Sequence, residues 1–297
     1  MSTPVPAIQI DNLTYAYGSA EAVRDLSLTV RPGRCYGLFG RNGAGKTTTM
    51  KCLLNLLRPQ QGKVRVFGLD PIKDEVAVKR RLAYVPDQVA FYPWMTVRET
   101  LDYLASFRQQ WNLKVEHELL GRFRLDPKKK TSALSKGQRT QVALIAAVCP
   151  ETDLLVLDEP TSGLDPIVRR EFIETVIGAY QEGNPGNRTI LVSTHLITEF
   201  EGLIDEFTIV DGGRAVLTME SDTARERFQK IRARFPQPLP DLEIDGALQM
   251  RRNGRELDLV VREGGAAVME SLERRHPESL SSESLTLEEI FVAVLQS

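Results

Sequence analysis

The sequence predicts an α/β fold built on a buried parallel sheet, and three observations carry that expectation. A short apolar strand, Cys35 to Phe39, runs into the glycine-rich stretch Gly40-Arg-Asn-Gly-Ala-Gly-Lys-Thr-Thr48, and a helix-forming segment, Thr47 to Leu57, follows. Two more continuous apolar strands, Leu154 to Leu157 and Thr189 to Val192, are separated by a helix from about Ile167 to Gln181. Unalternating strands joined by a helix are the pattern of βαβ units whose sheet is covered on both faces. A hairpin signal, Asp211-Gly212-Gly213 between Phe207–Val210 and Arg214–Leu217, closes the region.

The remaining elements are placed around that core. Before it, Ile8, Ile10 and Leu13, then Leu26, Leu28 and Val30, alternate with polar residues as half-buried antiparallel strands do, and Gly62 to Phe67 resumes the alternation. From Thr96 to Pro150 the pattern is helical, with starts at Thr96-Val-Arg-Glu99, which has capping-box spacing, and at Ser135. After about residue 220 a basic amphipathic stretch, Thr223 to Phe235, meets a proline-rich linker, Pro236 to Pro240. Beyond the linker, Leu248–Arg252 and Arg255–Val261 bracket Asn253-Gly254, a type I′ hairpin signal. A helix near Ala266 to Arg275 and a final amphipathic helix, Thr286 to Leu295, complete a small α+β unit. The expected limits are 1–220 for the main domain, with a helical subdomain at about 94–150, and 221–297 for an accessory domain.

Composition narrows the class. The 297 residues are ample for a buried core, and 42% hydrophobic with 26% charged residues is the range of soluble globular chains. The longest purely apolar run, Val142 to Cys149, is far too short to cross a bilayer, and the N-terminus has neither a basic nor an apolar signal region. Three cysteines (Cys35, Cys52, Cys149) sit in apolar elements without metal-ligand spacing, which predicts buried thiols in a reducing cytoplasm. A net charge of -2 offers nucleic acid no global attraction, so no nucleic-acid partner is expected, and Lys128-Lys129-Lys130 reads as a solvated turn.

The glycine-rich stretch is a complete G-x-x-x-x-G-K-[ST] loop, which predicts nucleoside triphosphate binding. Its glycines let backbone N–H groups approach the α and β phosphates, Lys46 supplies a cation to the β and γ phosphates, and the Thr47 hydroxyl is placed for Mg²⁺. Gly40, Asn42, Gly43, Ala44, Gly45, Lys46, Thr47 and Thr48 are the expected nucleotide contacts. The strand Leu154 to Leu157 delivers Asp158 and Glu159 at its C-terminal end, where ligands sit in open parallel sheets. Asp158 is suited to the Mg²⁺ shell with Thr47, and Glu159 to orienting and polarising the attacking water as general base.

Leu134-Ser-Lys-Gly-Gln138 resembles the Leu-Ser-Gly-Gly-Gln signature of the ATP-binding cassette (ABC) family, with Lys136 in place of the first glycine. Placed between the phosphate loop and Asp158-Glu159, it separates this chain from kinases and GTPases. The resemblance implies that Ser135, Gly137 and Gln138 contact the γ phosphate of ATP held by a second subunit, a role that fits a helix N-terminus with exposed N–H groups. Ser162-Gly-Leu-Asp165 looks like the family's D-loop, and Ser193-Thr-His195 like its switch loop, which gives His195 a γ-phosphate contact. His117 and His276 read as surface residues. Tyr17 matches the aromatic that stacks on adenine; neighbouring Tyr15 competes for the role, and one of the two is structural.

One departure stands out. Where the family has Tyr-x-Pro-Gln, this chain has Tyr84-Val-Pro-Asp87-Gln88, so Asp87 and Gln88 both remain candidates for the metal-proximal position. That passage, Tyr92-Pro-Trp-Met-Thr-Val-Arg-Glu99, the lysine in the signature, Pro166-Ile-Val-Arg169 and Leu285-Thr-Leu-Glu-Glu-Ile-Phe291 resemble bacterial export ATPases of the drug-resistance and bacitracin branch. The resemblance implies an ATPase that uses ATP and Mg²⁺, dimerises head to tail with a second copy and drives a separate integral-membrane permease from the cytoplasmic face. Phe91, Tyr92 and Trp94 either form the groove that accepts a permease helix or pack the helical subdomain internally. Two rivals predict other features. A soluble ABC protein acting on ribosomes or DNA would bring tandem cassettes or a basic arm, and a stand-alone P-loop kinase would lack the signature.

Overall fold

The computed structural model describes residues 4–181, 188–238, 244 and 246–296; Met1 to Thr3 and the Leu239-Pro240 end of the expected linker lie outside them. The chain divides into two compact units, residues 1–195 with 210–215, and residues 196–209 with 216–297.

The first unit opens with two antiparallel strands, β1 (Ile8–Tyr17) and β2 (Ala20–Val30), followed by β3 (Cys35–Phe39), helix α1 (Lys46–Leu53) and β4 (Gln61–Val66). Strand β1 lies between β2 and β4, pairing Ile8 with Val30 on one side and Val66 on the other. Helix α2 (Glu75–Arg81) leads into β5 (Leu82–Val85), and the helical subdomain supplies α3 (Val97–Ala105), α4 (Leu113–Arg122) and α5 (Lys136–Val148). Strand β6 (Leu154–Asp158), helix α6 (Pro166–Gln181) and β7 (Thr189–Thr194) complete it.

Strands β5, β6, β7 and β3 are consecutive parallel neighbours, registered Leu82↔Leu154, Leu154↔Thr189 and Cys35↔Ile190. Every residue of β3, β6 and β7 is buried, which explains why these strands show no alternation. The expected α/β core is therefore present. The capping box expected at Thr96 forms, with Thr96 and Glu99 closing the start of α3, and the structure adds one at the start of α5 from Ser135 and Gln138. Within the helical subdomain, buried Glu116 of α4 takes a bidentate pair from Arg98 of α3, at 2.5 and 2.9 Å, and a hydrogen bond from Trp111 Nε1 at 2.8 Å. Such a pair fixes orientation more than it adds stability.

The second unit holds helix α7 (Ile197–Phe200), the hairpin β8 (Glu206–Asp211) and β9 (Arg214–Glu220), whose tip at 210–215 groups with the first unit, and α8 (Ser221–Arg227). Then come β10 (Gln229–Arg234), β11 (Ala247–Asn253), β12 (Glu256–Val261), α9 (Gly265–Glu273), β13 (Ser279–Ser284) and α10 (Leu287–Gln296). The four last strands form an antiparallel sheet ordered β11-β12-β10-β13, with Ile231, Leu257, Leu259 and Val261 packed against Val268 and Leu272 of α9.

Within the second unit, Glu201 accepts the Leu287 N–H at 2.9 Å, and Ser221 Oγ donates to the Ile204 carbonyl at 2.6 Å. Two details differ from the expectations. The basic stretch Thr223 to Phe235 is not one element, since fully buried Phe228 adopts extended backbone and ends α8. In the β11–β12 hairpin, Asn253 pairs with Glu256 and only Gly254 has positive φ (59°). That is the requirement of a type II′ turn, one residue later than the I′ turn expected.

Candidate nucleotide-binding site

The glycines of the loop before α1 are demanded for separate reasons. Gly45 has φ of 103°, and a Cβ there would lie 2.4 Å from the Ala22 carbonyl oxygen. At Gly40 a Cβ would meet the Val210 carbonyl at 2.6 Å, whereas Gly43 faces open space and is required by its φ of 84° alone. Ala44 and Thr48 are buried, and Asn42 is exposed on the loop. The loop thus runs directly into the N-terminus of α1, the arrangement that receives anions. Lys46, the first residue of α1, is only 5% exposed. Its ammonium donates to the Gly40 and Arg41 carbonyls at 2.8 and 3.3 Å and pairs with Glu159 Oε1 at 2.9 Å.

Asp158 and Glu159 occupy different environments although they are adjacent. Asp158 ends β6 and is 1% exposed; its Oδ1 accepts from Thr47 Oγ1 at 3.1 Å and Ser193 Oγ at 2.5 Å, and its Oδ2 from the Tyr84 hydroxyl at 3.4 Å. Burial pushes the Asp158 carboxyl above its ordinary range; the hydrogen bonds from Ser193 and Thr47 oppose this, and the charges of Glu159 and Asp87 add to it. Burial, then Asp158 itself, likewise drives the Tyr84 phenol upward. Glu159 turns away from the strand with φ of 45°, its N–H still bonded to the Ser193 carbonyl at 2.9 Å. Its second oxygen, Oε2, lies 2.7 Å from His195 Nδ1 and accepts the His195 backbone N–H at 3.3 Å. One carboxylate therefore sits between a lysine and a histidine.

The structure brings Lys46, Thr47, Asp158, Glu159 and His195 into one connected set. Asp87 is half-buried and its charge is felt by both Asp158 and Tyr84, while Gln88 is exposed. Of the two, Asp87 is the one whose charge reaches Asp158. Thr47 and Asp158 offer a small number of hard oxygens, which suits an ion that keeps waters and phosphate oxygens as its other ligands. Ser193 and Tyr84 hold Asp158, and sequence reasoning assigned them no such role; their positions in Ser193-Thr-His195 and Tyr84-Val-Pro were the available signal.

The other expected contacts stand apart from this set. Ser135 is exposed at the start of α5, where its hydroxyl accepts the Gln138 N–H and the Gln138 side chain accepts the Ser135 N–H, both at 3.2 Å. Half-buried Gly137 follows, and a Cβ there would meet only the Val168 side chain, at 3.3 Å. Asp165 is exposed and caps α6, accepting the Ile167 and Val168 N–H groups at 3.1 Å each. Tyr17 is 49% exposed with its ring 4.9 Å from that of Tyr15, which packs on the core. Tyr15 is the structural member of the two. His117 and His276 are exposed, and all three cysteines are free and buried.

A model of the ABC transporter family matches residues 23–162. Among curated relatives, the bacitracin transport ATP-binding protein BcrA of Bacillus licheniformis is 33% identical over 75% of this chain and 72% of its own length. The Nod factor export ATP-binding protein I of Paraburkholderia xenovorans is 36% identical over 72% and 70%. Among solved structures, the ATP-binding subunit of an ABC transporter superposes with a TM-score of 0.67 at 28% identity, over 74% of this chain and 92% of that one. The dimeric post-hydrolysis state of the cassette MJ0796 with ADP and phosphate gives 0.63 at 21% identity, over 72% and 98%, a likeness of fold.

Proposed function

This chain belongs to the ABC transporter family, and on that premise we propose how it works as the ATP-hydrolysing subunit of a bacterial exporter. It is an ABC ATPase; export is supported by relatives named for bacitracin transport and Nod factor export. The observation that carries the mechanism is the Glu159 carboxylate held between Lys46 Nζ at 2.9 Å and His195 Nδ1 at 2.7 Å.

Without nucleotide, Lys46 neutralises Glu159. Phosphate oxygens on the loop compete for the same ammonium, and drawing Lys46 toward them leaves Glu159 oriented by His195 and free to accept a proton from water. Thr47 and Asp158 would hold Mg²⁺, with Asp87 beside them, and the bound ion supplies neutralising charge to the phosphates. Tyr17 offers an exposed ring face for the adenine. Ser135, Gly137, Gln138 and Asp165 lie at helix starts, and in this reading they complete the ATP site of a second copy, so that binding closes the dimer and hydrolysis opens it.

The permease partner is supported by a row of exposed rings: Tyr92 stacks on Trp94 at 5.0 Å and meets Tyr103 at 5.8 Å, which meets Phe107 at 5.0 Å. Trp94 is 64% and Phe107 66% exposed, which favours a docking groove over internal packing. No helix among the described residues is long and apolar enough to cross a membrane, so in this reading membrane attachment comes through the permease, at its cytoplasmic face.

The test is Glu159→Gln. The amide keeps the shape and loses the base, so ATP binding persists, an ATP-dependent dimer accumulates, and turnover falls by about 10²- to 10⁴-fold. Turnover at the unsubstituted rate would remove Glu159 from the mechanism.

A further inference from the structure

The lysine inside the signature makes a contact that the nucleotide site as described does not use. Lys136 is the first residue of α5, and its ammonium donates to the Ser162 carbonyl at 2.6 Å. A cation at a helix N-terminus faces the positive end of the helix dipole, so this position is unfavourable for lysine unless the charge is engaged elsewhere. Here it is engaged on the loop that follows Glu159. Ser162 is held from both sides, because its N–H donates to the Glu159 carbonyl at 3.1 Å while its own carbonyl takes the lysine. The next residue, Gly163, has φ of 68°, and a Cβ there would come within 3.1 Å of Lys136 Nζ. Glu159 itself has φ of 45°, a conformation that an unsupported glutamate rarely keeps.

We propose that Lys136 is a positioning residue, which acts through the Ser162 peptide to fix the turn that presents the Glu159 carboxylate, so that the start of α5 and the general base move together. This rests on the ATPase reading above and extends it: whatever engages Ser135 and Gly137 at the helix start is transmitted through Lys136 to Glu159. The cation bridges the two motifs without touching Glu159's carboxylate, whose oxygens belong to Lys46 and His195.

Three variants of the full-length chain test it: Lys136→Met, which keeps length and loses charge; Lys136→Gly, which installs the family's residue; and Lys136→Arg, which keeps a donor. In steady-state ATPase assays, Lys136→Met and Lys136→Gly should lower kcat by about three- to tenfold, the worth of one net hydrogen bond, with KM for ATP unchanged. Lys136→Arg should recover most of the loss. In nucleotide-free protein, amide hydrogen exchange over residues 159–165 should quicken in Lys136→Met and Lys136→Gly, while exchange over 40–48 stays as it was. Unchanged kcat and unchanged exchange would overturn the proposal. A rise in KM that matches the fall in kcat would also overturn it, because Lys136 would then be a nucleotide contact. If the unsubstituted chain hydrolysed no ATP, the ATPase reading would fail, and the exchange measurement would still decide the role of Lys136.

Discussion

The two sets of residues assigned to one nucleotide differ in how finished they are. Lys46 and Asp158 are buried and the Glu159 side chain is only 11% exposed, and each satisfies the other or a neighbour: Lys46 with Glu159 at 2.9 Å, Glu159 with His195 at 2.7 Å, Asp158 with Thr47 at 3.1 Å and Ser193 at 2.5 Å. Ser135 and Asp165 are exposed, and their side chains bond to the starts of their own helices. Buried charges must be paired before a ligand arrives, or the chain carries their desolvation cost. Exposed polar groups have no such obligation and can wait for a second surface. The difference therefore separates a half-site that one chain completes from one that it only offers.

Substituting a glycine in each half breaks that comparison most sharply. Gly45→Ala would place a Cβ 2.4 Å from the Ala22 carbonyl at a φ of 103°, and should lower stability by about 2–4 kcal/mol, seen as a lower Tm, and abolish nucleotide binding. Gly137→Ala meets only a valine methyl at 3.3 Å. It should leave Tm almost unchanged and reduce turnover alone. Equal destabilisation by the two would mean that the offered half is as rigidly built as the completed one.

A smaller effect is expected at the departure after Pro86. Asp87 is half-buried within electrostatic reach of Asp158, and Gln88 points its exposure to solvent. Asp87→Ala should slow hydrolysis more than Gln88→Ala, by about tenfold against twofold, because a hard oxygen near Asp158 suits Mg²⁺. Loss of turnover on Gln88→Ala alone would place the loop one residue later.

The same contrast governs what the sequence made legible. The phosphate loop, the buried strands of the parallel sheet and the capping box at Thr96 were readable because each is set by local chemistry: glycine where φ is positive, unalternating apolar runs, a hydroxyl three residues before Glu. Strand β13, Ser-Leu-Ser-Ser-Glu-Ser, was not, since its six residues carry no apolar alternation and are held by pairing with β10, from Ser279↔Arg234 to Ser284↔Gln229. The break at Phe228 and the grouping of residues 196–209 with the C-terminal residues depend in the same way on distant partners. In the site, the motifs named Asp158, Glu159 and His195. They did not reveal the left-handed backbone of Glu159 or the hydroxyls of Ser193 and Tyr84 that hold Asp158.

The central claim is that the offered half serves the nucleotide of a second copy. The most direct measurement mixes two chains, one carrying Lys46→Ala and the other Ser135→Arg, each with cysteines introduced beside Gly43 and Gly137, and follows ATP-dependent disulfide trapping between chains. The native thiols are buried and do not compete. In a two-fold pair, a mixed dimer has one site with both lesions and one with neither, so random pairing restores at most about a quarter of the sites. The shared site predicts that the mixture traps in the presence of ATP and that neither parent does so alone. Full-rate hydrolysis by isolated monomers, with no effect of Ser135→Arg and no trapping in the mixture, would contradict it.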